Sequence, residues 1–515
     1  MSSNKAEKES QVTMRLCWLT IILTASALAA TGCSALKPAA QTPLDLHVVA
    51  VNHAGKPLCA DPRDSDGAWL PTPDRDFEAS LARLVKSVAA SRCTNLVIFI
   101  PGGLNSVESG VEMVAQLTPD IMAGGGYPLF VAWDSRLTST YWEHLTLVRR
   151  GQEKPIQGKL SAPLYAAGDV GCSLVRAPVV WFHQGAIDLK NSRIGGTFYR
   201  TNAPARETIS DKLDNLINTE IADVNALYLE LRRRYGSDPA HSIAVSLGGF
   251  DRTACWQLAR YGLSWLTLPT KLVSAPAIDG LGTSAWENMR RRTSTLFQAP
   301  EEFYLEDRWH DAGEVTRALD HNSTGGVARL LEALRALERK RLVPITLVAH
   351  SAGALVANEM IRRCPELPFR NIVYLSAACS IRDWDVAVVP YLSAHPESQF
   401  YNLSLHPANE AGETNAADLA PRGSLLVWID EFLAHPETVQ DRTLGRWENI
   451  IQATHLVPRD VRRQVTLKAF SAGAPASHGP QAHNDFTETA FWNSDLWQAD
   501  TAWRAEFWQP ARRIR

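Results

Sequence analysis

The residue order calls for an α/β fold: a mainly parallel sheet with helices on both faces, interrupted by one large insertion. Three observations carry this. Apolar runs at 96–100, 129–133, 345–349, 371–376, 400–405 and 465–470 have the length and continuity of strands buried on both faces. Helical periodicities, among them Phe77–Ser91 and Val327–Lys340, separate such runs, as the crossovers of a parallel sheet require. The 345–349 run ends abruptly in His350-Ser351-Ala352-Gly353, and a helical pattern follows at once: a strand, a sharp turn and a helix.

The chain has 515 residues, enough for a large core. A net charge of -3 without any long Lys/Arg block speaks against a nucleic-acid partner. Sixteen Trp and fifteen Phe fit a globular protein with aromatic surface available to line a cleft for an apolar substrate. Residues 1–33 read as a leader: Arg15, a short apolar run, then small residues before Cys33. The run is short for a membrane span. Its end resembles a bacterial lipoprotein signal, which implies lipidation of Cys33 and a membrane anchor. Ser34 in second place implies the outer membrane of the cell envelope, with a periplasmic or secreted protein as the alternative. Six further cysteines, widely spaced and without CxxC, suggest no metal site, and disulfides among them are open.

Residues 34–75 form a tether and N-terminal segment, with a strand near Leu46–Val51. Residues 76–135 hold the first part of the core: helix Phe77–Ser91, strand 96–100, a loop at Pro101-Gly102-Gly103-Leu104, a helix across Glu108–Leu117, and strand 129–133. From 136 to 320 the alternation fails. An irregular stretch to 205, an amphipathic helix from Thr208 to Tyr235 and a helix near Ser284–Phe297 are too much for one crossover. This is an insertion, part of which should cap the strand ends. Residues 321–515 return to the core.

The turn at Ser351 carries the chemistry. Such turns want small residues two before and two after the serine, and Ala349 and Gly353 stand there. Ser246, between Ala244 and Gly248 after a similar run, is a second candidate. A serine hydroxyl attacks only when a base takes its proton, and the intermediate needs donors for its oxyanion. The Ala352 N–H is one donor, and the glycine loop offers Gly103 or Leu104 as the other.

The pieces PGGLNS, YPLFVAWDS, AHSAG and HNDF resemble the α/β-hydrolase superfamily, serine esterases and lipases in particular. Pro101 stands where many members have a histidine. The resemblance covers 94–135 and 325–497, and implies the α/β-hydrolase fold with an acid and then a histidine following the serine. His483 fits the base, with His478 as alternative. Glu410, past the 400–405 run, fits the acid, with Asp383 and Asp385 as alternatives. The expectation is a serine hydrolase cleaving small-molecule or lipid esters, without cofactor or metal. A catalytically degenerate envelope lipoprotein and an amidase or peptidase are the alternatives. Motifs for dinucleotide, phosphate-loop and metalloprotease sites are missing from the sequence.

Overall fold

A computed structural model describes residues 44–60, 69–71, 74–103, 105–149, 152–201, 243–247, 263, 266–298, 325–339, 343–472 and 479–498. In chain order the first elements are β1 (Val48–Val51), β2 (Pro57–Ala60), β3 (Trp69–Pro71), α1 (Asp74–Ala90), β4 (Asn95–Ile100), α2 (Val107–Ala123) and β5 (Gly126–Trp133). Next come α3 (Leu137–Thr146), a small hairpin β6–β7 (Val148–Arg149, Gln152–Glu153), α4 (Pro155–Thr201), β8 (Ala244–Leu247) and α5 (Leu268–Thr295). The last part holds α6 (Gly326–Glu338), β9 (Ile345–His350), α7 (Gly353–Arg363), β10 (Phe369–Leu375), α8 (Ile381–Ala394), β11 (Gln399–Ser404), α9 (Pro407–Gly412), α10 (Leu425–Trp428) and β12 (Val465–Ala469).

Ten strands form one sheet in the order β3-β2-β1-β5-β4-β9-β10-β11-β12-β8. The β3-β2-β1 edge is antiparallel, and every pairing from β1 to β8 is parallel. The six runs read from sequence are thus consecutive neighbours in an α/β-hydrolase-like sheet.

Alternation along the strands explains why both faces are covered. Leu96, Ile98 and Ile100 of β4 enter one core with Leu330 of α6, Val356 of α7 and Val388 of α8. Val97 and Phe99 enter the other, with Val111 and Val114 of α2 and the late residues Phe486 and Phe491. Strands buried on both sides need apolar residues at successive positions, hence the unbroken NLVIFI and ITLVAH.

The insertion differs from expectation. Much of the stretch read as irregular is helical: α3 and the 47-residue α4. Pro163 and Pro178 look like helix breakers in sequence, but both lie inside α4, exposed to solvent. The amphipathic segment 208–235 lies outside the described residues. The predicted helix near Ser284–Phe297 is the C-terminal part of α5, and β8 joins the sheet at its far edge. Of the cysteines, Cys59, Cys93, Cys172, Cys364 and Cys379 are free thiols. Among the described residues, no helix is long and apolar enough to cross a membrane.

Candidate active site

β9 leads straight into the turn at its C-terminal end. Ser351 has φ +51°, a left-handed conformation that costs a non-glycine residue about 1–3 kcal/mol. Three features enforce it. The Ser351 N–H donates to Leu375 O at 2.9 Å, and its C=O accepts from Ala378 N–H at 2.9 Å. Gly353 sits so close to β4 that a Cβ there would lie 2.4 Å from Ile100 O. Ala349 is fully buried.

His483 meets the serine: its Nε2 lies 2.9 Å from Ser351 Oγ, and both side chains are buried. The histidine opens a short 3-10 helix, His483–Glu488, built in several independent ways. Asp485 accepts the N–H groups of Gln481 (2.9 Å) and Ala482 (2.8 Å), closing the turn that precedes it. Phe486 is buried edge-on against Phe470 in the second core. The backbone of His483 is pinned at both ends: its N–H donates to Glu413 at 3.0 Å, and its C=O lies 3.1 Å from His350 Nε2. That contact makes Nε2 the protonated nitrogen of His350. Burial lowers the His350 pKa to about 4 and that of His483 well below the ordinary 6.5, with the neighbouring His350 adding to the latter. Both rings are therefore neutral at pH 7.

The glycine loop lies against the same turn. A Cβ on Gly102 would fall 2.6 Å from Ser351 Cβ and 2.7 Å from His350 Nδ1, so only glycine fits. The loop is held by residues after β5: Trp133 Nε1 donates to Pro101 O (3.3 Å) and Ser135 Oγ to Gly102 O (2.9 Å). Asn105 Nδ2 adds a second bond to Gly102 O at 3.1 Å. In a planar trans peptide, fixing the Gly102 carbonyl aims the Gly103 N–H the opposite way. Gly103 in turn lies beside Ala352, whose Cβ is 3.5 Å from where a Gly103 Cβ would be, as is Met289 Sδ of α5. Among the described residues, neither the Gly103 nor the Ala352 N–H donates to a protein acceptor.

The carboxylates fall differently from expectation. Glu410, on α9, is buried with its carboxyl against Ser424 Oγ, and burial raises its pKa to about 8. It is mostly neutral at pH 7 and forms no hydrogen bond with His483. Asp383 caps α8 by exchanging bonds with Ser380, both 3.0 Å, and Asp385 lies in the same helix; neither bonds His483. The carboxylate that does contact the histidine is Glu413, through the main chain. Nδ1 of His483 has no hydrogen-bond partner among the described residues. Ser246 lies inside β8, paired with Lys468, four strands from β9 and so roughly 19 Å away across the sheet. Leu104, His478 and Cys33 lie outside the described residues.

Sequence reasoning missed Glu413, His350 and the Trp133–Ser135 anchors. His350 stands within AHSAG and Trp133 and Ser135 within YPLFVAWDS, while Glu413 is three residues past Glu410. A cavity of about 340 Å³ is walled by Leu355, Ala378, Trp286, Arg290 and His435 among others, but Ser351, His483 and the glycine loop do not line it. Among the described residues, one group could offer metal ligands, His53, Glu143 and Glu153, with atoms within 4.8 Å of one another. Glu143 is already taken by Arg291 (3.0 Å), Arg292 (2.8 Å) and Asn288 (2.7 Å), which leaves little negative charge for a cation.

No family model matches the chain, and no curated protein or solved structure matches it.

Proposed function

We propose that this protein is a serine hydrolase that cleaves carboxylic esters through an acyl-enzyme on Ser351. The observation that carries the reading is the 2.9 Å contact between Ser351 Oγ and His483 Nε2 at the apex of a strained turn. In this reading Nε2 accepts the hydroxyl proton as Oγ attacks the ester carbonyl carbon. The developing oxyanion faces the N–H groups of Ala352 and Gly103, two donors that have no protein acceptor among the described residues. Collapse breaks the bond to the alcohol, which leaves with the proton from His483. Water then repeats the cycle on the acyl-enzyme, with His483 again as base.

Glu413 and His350 hold the main chain of His483 from both sides, so we assign them positioning roles; Glu410, neutral at pH 7, is a weaker candidate for the acid. The apolar run before Cys33 supports an envelope lipoprotein, anchored by lipid on that cysteine. The partnerless Nδ1 favours a second reading, a scaffold that keeps the fold without turnover.

A fluorophosphonate probe separates the two. Labelling on Ser351, lost in Ser351→Ala together with turnover of a panel of acyl esters, is the expected result. Failure of the folded protein to react with the probe or any ester would overturn the hydrolase reading. Fatty-acid labelling of the wild type but not Cys33→Ala tests the anchor separately.

A further inference from the structure

α4 presents an apolar face to solvent along most of its described length. Ile156, Leu160 and Leu164 are 75–78% exposed, Leu174 71%, Val175 81% and Phe182 77%. They recur at helical spacing on one side, over about 40 Å of helix. From Pro155 to Ile187 the only exposed charged residue is Lys159, and no carboxylate is exposed. The one acid in that span, Asp169, is turned inward to Tyr141 (3.1 Å), Ser284 (3.0 Å) and His144 (3.3 Å). Leu266 (80% exposed), just ahead of α5, and Val273 of α5 extend the face, with Trp181 Nε1 of α4 donating to Leu272 O at 2.7 Å. Exposed Trp142, Tyr165 and Trp181 add amphipathic rings of the kind that settle at a membrane–water boundary.

We propose that this face of α4 and α5 lies on a lipid bilayer, its side chains in the headgroup–acyl boundary and the helix parallel to the surface. A continuous apolar face of this size is unusual on a soluble monomer. Its α4 span shows no exposed acid, which suits contact with an anionic leaflet, and α4 is not apolar enough all round to span. The chain outside the described fold supplies the reason to choose lipid. Only residues 34–43 separate Cys33 from Leu44, a reach of roughly 35 Å when extended. A protein anchored at Cys33 is therefore held within a molecular diameter of the bilayer. The inference rests on the envelope reading and not on the serine chemistry.

The test uses the full chain with its native cysteines replaced by serine, so that the exposed Cys172 of α4 takes no label, and a polarity-sensitive fluorophore on Leu174→Cys, or on Arg370→Cys as an exposed control. Vesicles are phosphatidylcholine with or without phosphatidylglycerol, some carrying a quencher in the acyl chains. The apolar run 16–30 also holds the chain on vesicles, so the readout is the depth of each probe. Emission at 174 should shift to the blue and be quenched in both lipids, while 370 responds to neither. Equal silence at 174 with the protein bound overturns the proposal. So does a blue-shifted signal before vesicles are added, which would mean that the protein's own chain or a second copy covers the face. Leu160→Glu with Phe182→Glu should return the 174 probe to the unquenched emission of the 370 control, although the chain stays on the vesicles. Turnover of a soluble ester should be unchanged in that variant, so loss of docking and loss of hydrolysis are read apart.

Discussion

At the scale of single residues, the site depends on how His483 is held. Replacing His350 by Phe keeps the ring volume in the core but removes the donor to His483 O. One lost buried hydrogen bond is worth about 1–3 kcal/mol, so kcat should fall roughly tenfold to a hundredfold with KM little changed. A purely structural role would instead lower Tm and leave kcat of the folded fraction intact. Glu413→Gln should lower kcat more than Glu410→Gln, because Glu413 touches the main chain of His483, the proposed base, and Glu410 does not. The pH profile tests the base itself. Burial holds the His483 pKa well below 6.5, so the acid limb of kcat/KM should fall below pH 6.5; a limb above that value would assign the base elsewhere. Gly102→Ala offers a steric check: its Cβ would press on Ser351 Cβ and His350 Nδ1, and activity should be lost even where the fold survives.

At the scale of elements, what was legible in the sequence was what is local. β4, β5, β9, β10, β11 and β12 showed as apolar runs, and the turn at Ser351 showed because small residues and a following helix are written next to it. α4 was hidden, since Pro163, Pro178 and its glycines read as breakers unless one knows which side faces solvent. The place of β8 beside β12 was hidden too, because nothing local records a partner more than two hundred residues away. Glu413 acts through a backbone N–H, which leaves no mark in residue type. The insertion's connection to the site is likewise tertiary. Arg292 of α5, nearly fully buried, donates to Glu143 of α3 (2.8 Å), to Asp134 O (3.0 Å) and to Ser139 (2.9 Å). This fastens α5 to the segment that anchors the glycine loop, and sets Met289 against Gly103. Arg292→Ala should cost about 3–5 kcal/mol, as the loss of one partner of a buried ion pair does, and lower Tm accordingly. Arg292→Lys restores the charge but not the three-way geometry, and should recover only part of it.

At the scale of the whole molecule, burying titratable groups sets how stability varies with pH. His350 and His406 have pKa values lowered to about 4, both mainly by burial. An unfolded chain takes up these protons near pH 6.5, whereas the native chain declines them until about pH 4. The unfolded state thus binds more protons in that window, and the stability present above pH 6.5 is lost as pH falls toward 4. Glu410 works in the opposite sense. Its pKa rises from 4.5 to about 8 on burial, so the native state keeps a proton that the unfolded state releases. Its contribution is fully present below pH 4.5 and is lost as pH rises through 8, at about 1.4 kcal/mol per pH unit between the two values. Glu410→Gln keeps a polar partner for Ser424 and cannot ionise. Measured by thermal melts, the variant should gain on the wild type steadily from pH 4.5 to 8 and hold a constant difference above that. Its acid-side decline should remain, because the histidines that cause it are untouched. Parallel wild-type and variant curves across pH 4.5–8 would mean that Glu410 is ionised in the native protein, and would restore it as a candidate partner for the imidazolium of His483.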